Sequence, residues 1–346
     1  MRRNIDPTML DELTRRFLCV VVGARVGDAM GAPTEGLEPL EITQRFGWVS
    51  DFAGDGTDDS LMATLLANAL IATDGRACAD DWAAQWVAES GLVRDKRDKF
   101  FLSVLHTMQK LHYGWLPRRV AAGNMPSSSS AMAIWPVGLV NAGHPFEAAA
   151  QAYALAALIH VGDVDYCQDA AAAVAAAVAA GLRPGTSVAE ASALALQALH
   201  PVSGSHMRSL IGDALKLAEG SGGYEEFRLQ YHARWRQTIM CDSRETVPAA
   251  FALAMLADGD LVRAVEYGAN FGRDADTIAS MVGAICGANN GARPVPAPWA
   301  DRLGAPAMTS ATVVAEQLSR TAREKASRYL QDLNTVPGLT SGHPGG

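Results

Sequence analysis

Two short segments of this chain carry matched sets of oxygen donors. In "DGTDDSLMATLL", Thr57, Asp58 and Asp59 are consecutive, and in "NFGRDADTIASMVGAICGANNGA", Asp274, Asp276 and Thr277 repeat the chemistry. Carboxylates and hydroxyls without nitrogen or sulfur among them suit hard cations such as Mg²⁺. Each segment taken alone is also an ordinary helix start, where a capping residue and acidic side chains are favoured by the free N–H groups and the helix dipole. Two matched starts fit that reading less well. A helix N-terminus keeps carboxylates ionised, so four aspartates brought to one place repel strongly unless divalent metal neutralises them. If the segments meet, the pair predicts bound metal, one ion or two.

Helices are the elements that must position these donors. After Thr57, Leu61, Met62, Leu65, Leu66, Ala69 and Leu70 recur at helical spacing, and after Asp276 so do Ile278, Met281, Val282, Ile285 and Cys286. Alanine-rich runs such as "DAAAAVAAAVAAGL" and "EAAAQAYALAALIH" predict closely packed helices. Alternating runs of strand length are absent, so the expected fold is all-α. Gly/Pro breaks at short intervals favour one domain over residues 1–335, with a flexible tail at 336–346. Gly23, Gly27 and Gly31, four apart, let a neighbouring backbone approach one helix face. "RPVPAPWADRLGAP" reads as an extended connector to a last helix from about Thr309 to Leu333.

Composition narrows the function. Lys plus Arg total 29 against 37 Asp plus Glu, and the net charge of -8 disfavours nucleic acid or an anionic membrane surface as partner. A small-molecule substrate is the better expectation. The five cysteines show no regular spacing and read as small core residues in a reducing compartment, which with the absence of a convincing signal peptide points to the cytoplasm. No apolar run is read as a membrane span, because charged residues interrupt each one.

"TDDSLMA", "GARVGDAMGAPTEG" and "NFGRDADTIASMVGAICGANNGA" together resemble the signature segments of the ADP-ribosylglycohydrolase family, over about Phe17 to Ala292. The resemblance implies an orthogonal multi-helix bundle with a binuclear Mg²⁺ or Mn²⁺ centre that hydrolyses a ribosyl glycosidic bond, water attacking the anomeric carbon. It implies Thr57, Asp58, Asp59, Asp274, Asp276 and Thr277 as metal ligands, and Glu35 or Asp59 as the catalytic carboxylate. Glu35, in "APTEG", is otherwise a surface loop residue.

The segment "GNMPSSSSAMAIWPVGLVNAG" is similar to the family's substrate-facing loop and offers Gly123, Asn124, Ser128, Ser129, Ser130 and Met132 as substrate contacts. The match is partial. Many relatives have Gly-Ala-Ala-Met-Arg there, and this chain has Ala133 after Met132, so a basic group suited to phosphate is missing. His160, Asn270 and Arg273 also fall near family positions at the site. Read without the family, His160 is a hydrogen-bonded core histidine, Asn270 a turn former, and Arg273, where many relatives carry glycine, a salt-bridge partner or a phosphate contact. The expected substrate is a small N-riboside or ADP-ribosyl compound, or an ADP-ribosylated protein.

Two other readings compete. An all-α terpenoid-type synthase also faces two acidic motifs across a cleft, but this chain is only 7% aromatic and lacks the aspartate that would complete D-D-x-x-D. A catalytically silent family member with a structural or binding role is disfavoured by the full set of six ligands. Oligomeric state is not legible.

Overall fold

The structure, a computed structural model, describes residues 10–336 except 55, 96 and 292, and except the side chains at 92 and 93. The expected tail beyond Val336 lies outside the described residues. Those residues contain no β-strand and form an all-α bundle. In chain order the helices are α1 (Glu12–Gly31), α2 (Pro39–Phe46), α3 (Asp58–Ala72), α4 (Ala79–Ala88), α5 (Ser90–Asp95), α6 (Leu102–His112), α7 (Trp135–Val140) and α8 (Pro145–Ala156). They continue with α9 (Tyr166–Gly181), α10 (Val188–Ala198), α11 (Ser205–Gly220), α12 (Tyr224–Trp235), α13 (Ser243–Leu256), α14 (Leu261–Ala269), α15 (Ala275–Asn289) and α16 (Ala297–Asn334).

Three of these helices have apolar or small residues on every face and are buried accordingly. In α9 every residue from Cys167 to Gly181 is buried, and in α15 every residue from Ala275 to Ala288. The third, α1, lies along α15 in the most intimate contact of the fold. Small residues make that contact possible. A Cβ added at Gly23, Gly27 or Gly31 would lie 2.4, 2.1 or 2.3 Å from Gly283 O, Ala279 O or the Cα of Asp276, so the two backbones touch directly.

The structure departs from the sequence reading in three places. Helix α16 begins at Ala297 within the Pro-rich stretch, with Pro298 in its first turn, where a missing N–H costs nothing; it breaks at Gly304 (φ 73°, ψ 167°), before Pro306. By length and composition Glu12–Thr34 is apolar enough to cross a membrane, contrary to the reading above, but most of it is buried inside the protein as a core helix. Four cysteines are buried, whereas Cys78 is exposed at the start of α4.

Candidate metal centre

The site forms where the N-termini of α3 and α15 meet α1. Close packing of α1 on α15 sets Asp28 of α1 beside Asp276. The Asp28 carboxylate then takes hold of the start of α3: it accepts from Thr57 N (2.9 and 2.8 Å), Thr57 Oγ1 (2.7 Å), Ser60 N (3.0 Å) and Ser60 Oγ (2.5 Å). The two motifs also touch, since the hydroxyls of Thr57 and Thr277 each lie 3.5 Å from Asp59 Oδ2. Glu35 arrives on the turn after α1, which is pinned to the loop before α15 by Gly36 N to Arg273 O (2.7 Å) and Arg273 N to Leu37 O (2.8 Å).

Two groups of carboxylates result, and Asp276 belongs to both. Oxygens of Asp28, Asp59 and Asp276 lie within 4.8 Å of one another, and so do oxygens of Glu35, Asp274 and Asp276. All but the half-buried Glu35 are buried. Asp58, also buried, adds its charge alongside them. Burial and mutual repulsion disfavour the ionised forms. Burial first, then the charge of Asp28, pushes Asp58 up to about 8, and burial with the charge of Glu35 pushes Asp274 up to about 7. Asp59 and Asp276 are also held well above the usual carboxylate range, by burial first and then by the charges of Asp28 and Asp274 respectively. Glu35 is raised as well, chiefly by burial, with the charge of Lys99 opposing.

Does a divalent cation fit these residues? Asp59 Oδ1 is buried and has no hydrogen-bond partner, which is costly for a carboxylate oxygen unless a cation takes the bond. The surrounding donors are carboxylates and hydroxyls, the set hard divalent cations take. The clusters can hold metal ions.

A measurable consequence is the pH dependence of stability in the metal-free protein. Asp58 and Asp274 keep protons when folded up to about 8 and about 7, while the unfolded chain releases them near 3.8, as an ordinary aspartate does. Between those values the folded state binds more protons, so unfolding free energy falls as pH rises, by about 1.4 kcal/mol per pH unit for each such proton. In EDTA, Tm should therefore drop from pH 5.5 to pH 8. Added Mn²⁺, which needs deprotonated ligands, should flatten or reverse the slope. A Tm in EDTA that rises over this range would contradict the electrostatics described.

The remaining residues predicted from sequence divide sharply. Ser128 reaches the cluster, its hydroxyl donating to Asp274 Oδ2 at 3.0 Å, and Met132 Sδ lies 3.9 Å from Thr277 Oγ1. The others face elsewhere. Gly123 sits at an exposed turn (φ 79°). Asn124 donates to Thr107 Oγ1 and Ile159 O, both at 2.8 Å. Ser130 and Ser127 hold the two ring nitrogens of buried His160 at 3.0 and 2.9 Å, and Ser129 lies 2.9 Å from the Ser127 hydroxyl. Burial drives the His160 pKa down to about 3, so the ring is neutral and supports the serine loop from beneath. Asn270 clasps the backbone of Val49, accepting from its N–H at 2.8 Å and donating to its carbonyl at 2.7 Å.

Of the two readings of Arg273, salt-bridge partner or phosphate contact, the structure shows the first, with the acid buried: Arg273 grips Glu245 with Nε–Oε1 2.5 Å and Nη2–Oε2 2.9 Å, and also donates to Gln237 O at 2.6 Å. Its φ of 61° explains why glycine suits this position. Removing one member of so buried a pair leaves the other uncompensated, so Glu245→Ala should cost about 3–5 kcal/mol, read as a fall in the urea midpoint at constant m. A change under about 1 kcal/mol would show that the pair is not held in solution. The residue that the sequence reading does not single out is Asp28, the acid of "GARVGDAMG". The glycine stripe around it was the available signal, because an acid beside such a contact must be buried.

Comparison with known proteins agrees with the all-α fold. Residues 9–329 match the family described as ADP-ribosylglycohydrolase. The uncharacterized protein YegU of Escherichia coli (strain K12) is 27% identical over 308 residues, covering 80% of this chain and 88% of that protein. The ADP-ribosyl-[dinitrogen reductase] glycohydrolase of Rhodospirillum rubrum is 22% identical over 306 residues, covering 83% and 90%. A solved structure titled ADP-ribosylglycohydrolase-related protein complex superposes with a TM-score of 0.65 at 22% identity, over 90% of this chain and all of that one, and so shares the fold. With the match spanning nearly its whole length, the chain belongs to the ADP-ribosylglycohydrolase family.

Proposed function

We propose that this chain is a divalent-cation-dependent hydrolase that cleaves a ribosyl glycosidic bond, with water attacking the anomeric carbon. Family membership supports a glycohydrolase acting on a ribosyl substrate. It leaves no support for the terpenoid-synthase alternative. The observation that carries the metal dependence is the orphaned Asp59 Oδ1, buried among carboxylates from separate helices.

Thr57, Asp58, Asp59, Asp274, Asp276 and Thr277 would hold Mg²⁺ or Mn²⁺, one ion or two, with Asp276 within reach of both Asp59 and the Glu35–Asp274 pair. Cations bound there supply positive charge that binds ribose oxygens and acidifies water at neutral pH. The protein's own groups do the rest. Of the two candidate bases, Glu35 is the one open to solvent, so it takes the proton of the attacking water, while buried Asp59 serves as a ligand. As the bond to the leaving group breaks, positive charge on the ribose ring is stabilised by the surrounding carboxylates. Ser128 fixes Asp274 from the loop side. With Ala133 buried and no arginine beside it, a small N-riboside or ADP-ribosyl compound is the preferred substrate over an ADP-ribosylated protein.

The test is a screen for release of ribose or ADP-ribose from a panel of N- and O-ribosides with Mg²⁺ or Mn²⁺. Turnover that EDTA abolishes is expected for at least one compound. Metal-independent turnover, or none with either metal on a protein that binds them, would overturn the reading.

A further inference from the structure

We infer that Asp28 is a positioning residue: it caps α3 from the neighbouring helix and thereby presents the Thr57 oxygen to the carboxylate cluster as a neutral metal ligand. The inference rests on the metal-dependent reading above and deepens it.

The first observation concerns acceptor capacity. A carboxylate has about four lone-pair sites. Oδ1 of Asp28 accepts from Thr57 N at 2.9 Å and Thr57 Oγ1 at 2.7 Å, while Oδ2 accepts from Ser60 N at 3.0 Å and Ser60 Oγ at 2.5 Å and shares Thr57 N at 2.8 Å. The first turn of α3 therefore uses all of that capacity. Although an Asp28 oxygen lies within 4.8 Å of Asp59 and Asp276, none of its lone pairs is left for a cation. Proximity alone would have counted it as a ligand; its hydrogen bonds make it a cap.

The second observation concerns what that cap releases. In an ordinary helix start the N-cap side chain accepts the N–H three residues on. Thr57, at the N-cap of α3, makes no such bond, because Ser60 N donates to Asp28 instead. The Thr57 hydroxyl has one proton and gives it to Asp28 at 2.7 Å, the alternative acceptor, Asp59 Oδ2, being 3.5 Å away. Its lone pairs stay free beside Asp59. The chain comes so near the carboxylate that only glycine fits before Thr57: a Cβ at Gly56, where φ is 102°, would lie 2.3 Å from Asp28 Oδ2 and 2.4 Å from Ser60 Oγ.

Calorimetric titration of the metal-free protein with MnCl₂, with unfolding in EDTA followed in parallel, separates the possibilities. Absence of Mn²⁺ binding by the unaltered protein would sink the metal-dependent reading, and this inference with it. Where the unaltered protein binds, Asp28→Asn should bind about 10- to 100-fold more weakly with the number of ions per chain unchanged. Thr57→Val should lose a similar factor. The double variant should be no worse than the weaker single within about threefold, because both changes remove the same oxygen. Unaltered affinity in Asp28→Asn, losses that multiply, or one ion fewer per chain would each overturn the assignment. Should Asp28→Asn not fold, Ser60→Ala decides, since it removes a donor to Asp28 and touches no ligand. An affinity loss of about threefold or more is expected, and no loss overturns the inference.

Discussion

Gly27→Ala should destabilise the protein by about 3 kcal/mol or more and leave little folded material at 37 °C. One methyl group is enough because its neighbours are backbone atoms: the new Cβ would lie 2.1 Å from Ala279 O and 2.4 Å from the Ala279 carbonyl carbon. A side chain could turn aside, but two helix axes must separate, which is the costly kind of overpacking. Gly212→Ala is the control. That glycine lies inside α11 with nothing within 4 Å of an added Cβ, so the same change should stabilise by up to about 1 kcal/mol. Urea unfolding of both variants checks the pair of signs. If Gly27→Ala folds as stably as the parent, α1 and α15 are not in backbone contact. Folded material that remains should also bind Mn²⁺ poorly, since the helix carrying Asp28 would be displaced from the one carrying Asp276.

Asp276→Asn should reduce turnover by about 10³-fold, the top of the range for one lost electrostatic group, and weaken Mn²⁺ binding in parallel. The reason is its place in both carboxylate groups, which no other residue shares among those described. The fold should survive, because the asparagine is isosteric and the variant relieves repulsion around a carboxyl held far above its usual range. In EDTA its Tm at pH 8 should therefore equal or exceed that of the parent. Steady-state kinetics on whichever riboside is turned over, with thermal unfolding beside it, tests both halves. Retained turnover would remove Asp276 from the centre of the site.

Both acidic motifs and the all-α fold were legible in the sequence because they depend on local pattern: donors in the first turn, then apolar residues at helical spacing. The question of cap or metal ligand was not answerable there. It bears on Asp28, 29 residues before Thr57, which accepts from the N–H groups at the start of α3 in place of the motif's own side chains. Arg273 illustrates the same limit. A basic residue beside an acidic motif reads equally as a salt-bridge partner or a ligand contact until Glu245, from another helix, is placed against it. Asn270 and Asn124 read as loop residues near a site, and their amides are instead used by backbone groups distant in sequence. The core-histidine reading of His160 fits its surroundings, although it lies beyond the end of α8 and not on an apolar helix: its two serine partners account for both ring nitrogens.

That histidine bears on how rate profiles should be interpreted. An imidazole that stays uncharged down to about pH 3 cannot generate an inflection between pH 5 and 8, the range in which histidine is usually blamed. An acid limb in kcat/KM across that range then belongs to carboxyl groups: one set by the proposed base Glu35, whose carboxyl burial raises, should keep its midpoint as Mn²⁺ is varied, whereas one set by protons competing for the proposed ligands should slide to lower pH as Mn²⁺ is raised.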